Sequence, residues 1–338
     1  MPTTLITNAE GNGVGVVGRM LAKHISGITA VIAIRCNPED RREIRAWPVA
    51  RSCSLYLPPA QHTANHAFNA CVNDKYLYIE ETCGLGSYIP AGAKRIFIPM
   101  WEQVSLAEEL RWATLSVAVS WHTRKVLHED HDLESVFLRW PVVVPPTYRV
   151  ITRAKTILHN AGGLGANFRK GTDLAIFMFQ RSGVAARGVR FVVRAAVPPP
   201  PVLAAIIAEA PDGITWETEF RETLDEVYAD ADLVLHPSRI DGSPLIAAEA
   251  AARGVPALVT AASPMDELSP SNFQIPVTCF EASSLTAPYA IADVETGAEM
   301  LTRACERDLS EDSRETRALA ERELSWEVLG PRWEEICA

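Results

Sequence analysis

Residues 228–260 read YADADLVLHPSRIDGSPLIAAEAAARGVPALVT. The run 233–236 is apolar and short, as a buried strand would be. Residues 237–242 hold Pro, Ser, Asp and Gly and read as a loop. Ser243 suits a helix N-cap, and Pro244 suits the first helical position. Alanine-rich sequence carries the helix to Arg253, Gly254 falls just past its end, and Pro256 blocks continuation. A second apolar run, 257–260, follows. Strand, loop, helix and strand at these lengths predict a parallel α/β unit whose helix starts at the strand's carboxyl end. Free N–H groups and the positive end of the helix dipole make such a start an anion site, suited to a diphosphate. Asp241 lies just before the predicted helix and Glu249 about a turn and a half inside it. The two carboxylates can therefore face groups on either side of the anion.

The same alternation extends in both directions. Toward the N-terminus, strand-like runs fall at 5–7, 28–34, 76–79, 95–98 and 115–119, with helix-like stretches at 19–24 and 105–112. A strand-like run at 142–144 is closed by Pro145-Pro146, which reads as a linker. The pattern then restarts, with strands at 156–160 and 190–194 and helices at 172–180 and 202–210. Two similar α/β halves predict two Rossmann-like domains facing a central cleft. The expected bounds are 1–146 for the first domain, 147–320 for the second and 321–338 for a terminal helix. In that tail Trp326, Val328, Leu329, Trp333 and Ile336 form an apolar stripe that needs a partner surface.

Composition limits the classes. The 338 residues are 48% hydrophobic and 22% charged, so a packed core is expected and disorder is excluded as the main state. The formal net charge of -10 argues against a dedicated nucleic-acid coat, though not against one local basic patch. No apolar run is long enough to span a bilayer, and residues 1–8 lack a signal-peptide layout. The seven cysteines include no C-x-x-C pair, which points to free thiols in a reducing cytoplasm.

An acidic residue, seven intervening residues and Glu, inside a loop-helix of this composition, resemble the signature of the retaining family 4 glycosyltransferases of the GT-B fold. Asp241 and Glu249 have that spacing, with Asp where Glu is more usual. The segment His159-Asn160-Ala161-Gly162-Gly163, followed by Arg169-Lys170-Gly171-Thr172-Asp173, resembles the family's first C-domain strand and Lys-Gly helix start. The family often has Arg directly after that strand, where this chain has Ala161 and Gly162. Gly11-Asn12-Gly13-Val14-Gly15 resembles the N-domain glycine loop near the donor phosphate. Residues 324–333 resemble the terminal helix that returns to the N-terminal domain. The extended glycine loop is similar to short, often phage-encoded members.

The resemblance implies that Glu249 binds the nucleotide ribose. It implies that Asp241, Gly242, Ser243, Pro244 and Leu245 contact sugar and diphosphate, and that Lys170, with Arg169, neutralises the diphosphate. Gly13, Gly15, Asn160 and Gly162 complete the expected donor site. Glu80, Glu81, Trp101 and Glu102 follow N-domain strands and are acceptor candidates. The implied reaction moves a sugar, with UDP-glucose the expected donor, to a hydroxyl with retention of configuration. The acceptor is a hydroxymethylated pyrimidine in DNA or a glycan. No metal or other cofactor is expected, because a helix dipole and Lys/Arg can neutralise the leaving group. The Asp230-Ala231-Asp232 triplet is read as a turn rather than a metal motif. For a DNA acceptor, Arg41, Arg42, Arg45 and Arg51 are the densest basic cluster.

Two other readings remain open from sequence. Gly13-x-Gly15-x-x-Gly18 is also a dinucleotide fingerprint, with Glu39 and Asp40 near the place of a ribose carboxylate, which would make the chain an NAD(P) oxidoreductase. The altered acidic position and the absent Arg admit a nucleotide-sugar-binding protein without catalysis.

Overall fold

The computed structural model describes every residue except 1, 10–12, 36–46, 57–60, 80–84, 104–111, 163–165, 210–212, 220, 284–286 and 338. The chain forms two compact units, one of residues 1–140 with 329–338 and the other of residues 141–328.

The first unit contains β1 (Thr3–Asn8), α1 (Gly13–His24), β2 (Ile28–Arg35), β3 (Arg51–Tyr56), α2 (Gln61–Ala70), β4 (Lys75–Ile79), β5 (Lys94–Ile98), β6 (Leu115–Ala118), α3 (Trp121–His131) and β7 (Val136–Phe137). Its seven strands run in the order β3-β2-β1-β4-β5-β6-β7, and every pair is parallel. Parallel strands are buried on both faces, hence near-continuous apolar runs such as β2. The expected helix at 105–112 falls almost wholly outside the described residues.

The glycine segment differs from expectation. Helix α1 starts at Gly13, so Gly13, Gly15 and Gly18 lie within helix and not in a loop that ends before residue 19. A Cβ on Gly18 would stand 2.5 Å from Thr7 Oγ1. That glycine therefore lets α1 lie close on β1, a packing role that needs no dinucleotide.

The second unit contains β8 (Thr156–Gly162), α4 (Ala166–Arg169), α5 (Thr172–Ser182), β9 (Arg190–Ala195), α6 (Pro201–Ala208), β10 (Ile214–Glu217), α7 (Leu224–Tyr228), β11 (Leu233–His236), α8 (Leu245–Ala251), β12 (Ala257–Thr260), β13 (Gln274–Ile275), the antiparallel hairpin β14 (Val277–Glu281) and β15 (Tyr289–Ala292), α9 (Val294–Glu306) and α10 (Ser310–Leu319). The six-stranded parallel sheet has the order β10-β9-β8-β11-β12-β13. Alternation along the strands divides the core. Leu233 and Leu235 of β11 join Phe179, Met178 and Leu301 on one face. Val234 joins Ala247, Ala251 and Leu324 on the other. Residues 142–144 form no strand. Val142 makes one isolated bridge to Ser325, and its N–H donates to Leu324 O at 2.8 Å.

The last helix, α11 (Trp326–Cys337), contributes residues 329–338 to the first unit. Trp333 is fully buried there. It stacks on Trp140 at 5.2 Å between centroids, and its Nε1–H donates to Arg139 O at 3.0 Å. Thr3 Oγ1 donates to Cys337 O at 2.6 Å, and Lys75 Nζ to Ile336 O at 3.1 Å. Val328, counted in the apolar stripe, is instead exposed. No helix among the described residues is long and apolar enough to cross a membrane. The five described cysteines are all free thiols.

Trp333→Ala is expected to cost about 3–5 kcal/mol, the usual range for a buried large aromatic. Urea unfolding followed by far-UV circular dichroism measures it.

Candidate active site

In the second sheet the strand order reverses between β8 and β11, and ligands bind such sheets at the carboxyl ends beside that point. Two crossover loops meet there. One leaves β8 and enters α5 through Lys170 and Gly171. The other leaves β11 and enters α8 through residues 237–244. Gly171 caps α5 with φ +68°, and a Cβ there would lie 1.9 Å from Pro237 O. Only glycine permits this approach. Arg239 N–H donates to Arg169 O at 2.8 Å, and Ser238 Oγ to the same carbonyl at 3.2 Å. Arg239 also forms a bidentate pair with Asp173, both contacts at 2.7 Å.

This clasp sets Lys170 Nζ 2.5 Å from Asp241 Oδ2, with both side chains mostly buried. His236 Nε2 lies 3.4 Å from the same carboxylate oxygen. Burial alone would raise the pKa of Asp241, but Lys170, then His236 and Arg169, outweigh it and hold the group below the usual carboxylate range. Asp241 is therefore an anion already engaged by a cation.

Glu249 is the opposite case. It projects from the middle of α8, is 6% exposed, and burial pushes its pKa up to about 7. The Tyr228 hydroxyl donates to Glu249 Oε2 at 3.0 Å, and Arg253 also favours the ionised form, but neither offsets burial. Lys170 acts electrostatically on both carboxylates, so Lys170, Asp241 and Glu249 share one locality. Asn160, on the α8 side of β8, accepts the Gly162 N–H on its Oδ1 at 3.3 Å and acts electrostatically on the Tyr228 phenol. Gly162 has φ +74°.

The helix start corrects the sequence reading. Helix α8 begins at Leu245, Pro244 occupies the cap position, and no side chain caps it. Ser243 is buried but is not an N-cap. Its carbonyl accepts the Leu245 N–H at 2.8 Å, which ties the loop into the first turn. Helix α8 spans seven residues rather than reaching Arg253, yet it closes around Gly254 as expected. Gly254 N–H donates to Ala251 O, and Val255 N–H to Ala250 O, the paired bonds of a left-handed helix end.

The two strand-end histidines separate in character. His159 is fully buried. Its Nδ1 is 2.8 Å from Leu235 O and its Nε2 is 2.9 Å from Thr172 Oγ1, and burial with His236 nearby pushes its pKa down to about 3. It is a neutral pin between β11 and α5. Burial likewise lowers the pKa of His236, which touches Asp241 and so belongs to the site. Its link to Asp241 was not singled out from sequence, although His236 sits five residues before that acid. Asp232 accepts the N–H groups of Lys155 and Thr156, both at 2.9 Å, and pairs with Arg149 at 2.7 Å. Asp230 pairs with Arg194. The triplet thus fixes turns. Among the described residues no cluster of three His, Cys, Asp or Glu could hold a metal ion.

The other candidates lie in the first unit or outside the described residues. Gly13 and Gly15 lie in α1 of the first unit. Glu80 and Glu81 lie outside the described residues, as do Arg41, Arg42, Arg45, Glu39 and Asp40. Arg51 opens β3 and binds Asn73 Oδ1 at 2.8 Å. Trp101 packs edge-on against His122 at 4.1 Å in the first unit, and Glu102 is buried there.

Comparison with known proteins accords with the second unit's geometry. Residues 162–327 match a family described as Family 4 Glycosyltransferase in conflict systems. No curated protein sequence matches the chain. Among solved structures, HepE of Anabaena in complex with UDP-glucose aligns over 99% of both chains at TM-score 0.72 and 13% identity. Sucrose-phosphate synthase of Thermosynechococcus elongatus aligns over 99% of this chain and 98% of its own at 0.71 and 15%. TarM of S. aureus, solved with UDP, aligns over 81% of this chain at 0.59 and 12%. This chain spans only 58% of TarM. These likenesses give the fold as GT-B.

Gly171→Ala is expected to destabilise the protein by about 2–4 kcal/mol through strain and the clash with Pro237. Gly183→Ala is the control. It has φ +66° and nothing within 4 Å of its Cβ, so its cost should be only about 1–2 kcal/mol. Chemical denaturation of the two variants separates the contact from the backbone conformation.

Proposed function

We propose that this chain, a family 4-type glycosyltransferase of the GT-B fold, transfers a sugar from a UDP-sugar to an acceptor hydroxyl with retention of configuration. One observation carries the reading. A buried cation, Lys170, pairs with a carboxylate held ionised, Asp241, and acts electrostatically on a second buried carboxyl poised to ionise near neutrality, Glu249, at the switch point of a parallel sheet. A nucleotide-sugar asks for those three groups: a positive charge for the diphosphate and acceptors for sugar and ribose hydroxyls.

In the proposed reaction the bond from the anomeric carbon to the diphosphate oxygen breaks. The acceptor oxygen bonds to that carbon on the same face, and its proton leaves with the nucleoside diphosphate. Lys170 and Arg169 stabilise the developing negative charge, which makes a resident metal unnecessary. Asp241, with the backbone from Gly242 to Leu245, orients the sugar, and Glu249 the ribose. Asn160 and Gly162 complete the donor residues of the second unit, and within the first unit we assign acceptor recognition to Glu80, Glu81, Trp101 and Glu102. Glucose is the sugar we favour, and a hydroxymethylated pyrimidine in DNA or a glycan the acceptor. Free thiols and a nucleotide-sugar donor suit a cytoplasmic reaction.

Calorimetry tests the donor assignments. Lys170→Ala should weaken UDP binding at least about tenfold, close to 1.4 kcal/mol. Asp241→Asn should do the reverse. Asp241 competes with a diphosphate for Lys170, so UDP should bind the variant several-fold more tightly while UDP-glucose loses its advantage over UDP. Equal UDP affinities in wild type and both variants would remove Lys170 from the diphosphate site. Stabilisation by NAD or NADP, and not by UDP, in a thermal-shift series would favour the oxidoreductase reading. Mass spectrometry of hydroxymethylated DNA digested after incubation with donor decides the acceptor.

A further inference from the structure

The hydroxyl of Tyr228 has no part in the reading above, yet it is spent on the site. Tyr228 ends α7, a five-residue helix whose start is fixed by a capping box between Thr223 and Glu226. The side chain is 3% exposed. Its hydroxyl donates to Glu249 Oε2 at 3.0 Å, with Ile246 O at 3.4 Å as a second acceptor. Asn160 of β8 acts on the phenol and favours its ionised form. Arg253 sits over the phenol ring, 5.5 Å from its centroid. It donates to the Glu249 carbonyl at 3.0 Å and reaches Asp225 at 2.7 Å, which staples α7 to α8. Glu249 Oε1 bonds to none of the described residues.

A buried carboxyl with one oxygen tied and one open is held in a single orientation. The tie does more than aim it. A phenol that donates to a carboxylate favours its ionised form, against the burial that favours the protonated form. Phe in place of Tyr would fill the same space without that bond, so packing alone does not call for the hydroxyl.

We propose that Tyr228 is a positioning residue for the donor: it fixes Glu249 so that Oε1 faces the nucleotide and keeps the carboxyl available as an acceptor. The inference rests on the reading of Glu249 as the ribose ligand. Besides Tyr228, the charged groups that act on Glu249 are Arg253 just past the end of its helix, itself paired with Asp225 of α7, and Lys170 just before α5. All three groups favour the ionised carboxyl.

The test measures UDP-glucose binding by calorimetry from pH 5.5 to 9 for wild type, Tyr228→Phe and Glu249→Gln. The diphosphate of UDP-glucose is doubly esterified and has no ionisation near neutrality, so the carboxyl dominates the profile. Hydroxyls bind the carboxylate better than the acid. Wild-type affinity should therefore rise with pH through about 7, where Glu249 ionises. In Tyr228→Phe the midpoint should move to higher pH, with affinity several-fold lower at pH 7 and recovering in part by pH 9. Asn160→Ala, which removes a polar group acting on the phenol, should move it the same way by less, and serves if the Phe variant does not fold. An unchanged midpoint in the Tyr228 or Asn160 variant, while Glu249→Gln flattens the profile, would reduce Tyr228 to packing. A Glu249→Gln profile identical to wild type, or no binding of UDP-glucose, would overturn the ribose reading and this inference with it.

Discussion

The second unit depends on two backbones touching. Carbonyl 237, after β11, occupies the space that a side chain at position 171 would need. Once Gly171 concedes that space, the rest is determined. The loop from β8 is pinned by the Arg169 carbonyl, the Arg239–Asp173 pair closes over it, and Lys170 is delivered to Asp241. A Lys-Gly step is thus one device. The glycine makes the approach, and the lysine is what the approach carries. Charge follows from contact here, because an ammonium buried this deeply is tolerable only beside its counter-ion.

Burial then treats two acids within one site in opposite ways. Asp241 lies in the lysine's immediate field and stays ionised. Glu249, on the α8 side of the sheet, meets a phenol and a more distant guanidinium, and burial dominates. Two carboxyls that differ in available charge can sense different parts of one ligand, since they differ in what each gains by accepting a hydrogen bond. The opposed faces of β8 sustain the difference. His159 points one way to pin α5, and Asn160 points the other way to the phenol.

Much of this was legible in the sequence because the governing signals are local. Short apolar runs, turn residues and the glycine at 254 located β8, β9, β11 and β12 and the helices α5, α6 and α8 of the second unit. They did not locate β10, β13 to β15, α4 or α7, which are short and lie among polar residues. The spacing of Asp241 and Glu249 picked out two of the unit's acids. Three further things were not legible. Serine before proline has the composition of a helix cap, but α8 starts one residue after the proline because the Ser243 carbonyl turns back onto Leu245. The glycines at 13, 15 and 18 have the composition of a loop, yet all three lie in helix, and for Gly18 the nearness of Thr7 shows why the helix uses glycine there. The partnership of Tyr228 with Glu249 joins residues 21 apart on separate helices. Periodicity cannot report such a pair, since it depends on how α7 and α8 stack on the sheet.

The division of the chain bears on the order in which it is made. Residues 141–328 form a unit that holds only the first residues of the final helix, whereas the first unit takes in residues 329–338, with Trp333 buried against Trp140 and Glu334 accepting the Ser26 N–H. During synthesis from the N-terminus, the half translated first is the half that finishes last. Its sheet emerges early but waits for a tryptophan made almost two hundred residues after Arg139 and Trp140, the partners it will join. A ribosome that stops between residues 328 and 333 would release a chain whose second unit is whole and whose first lacks a piece of its core.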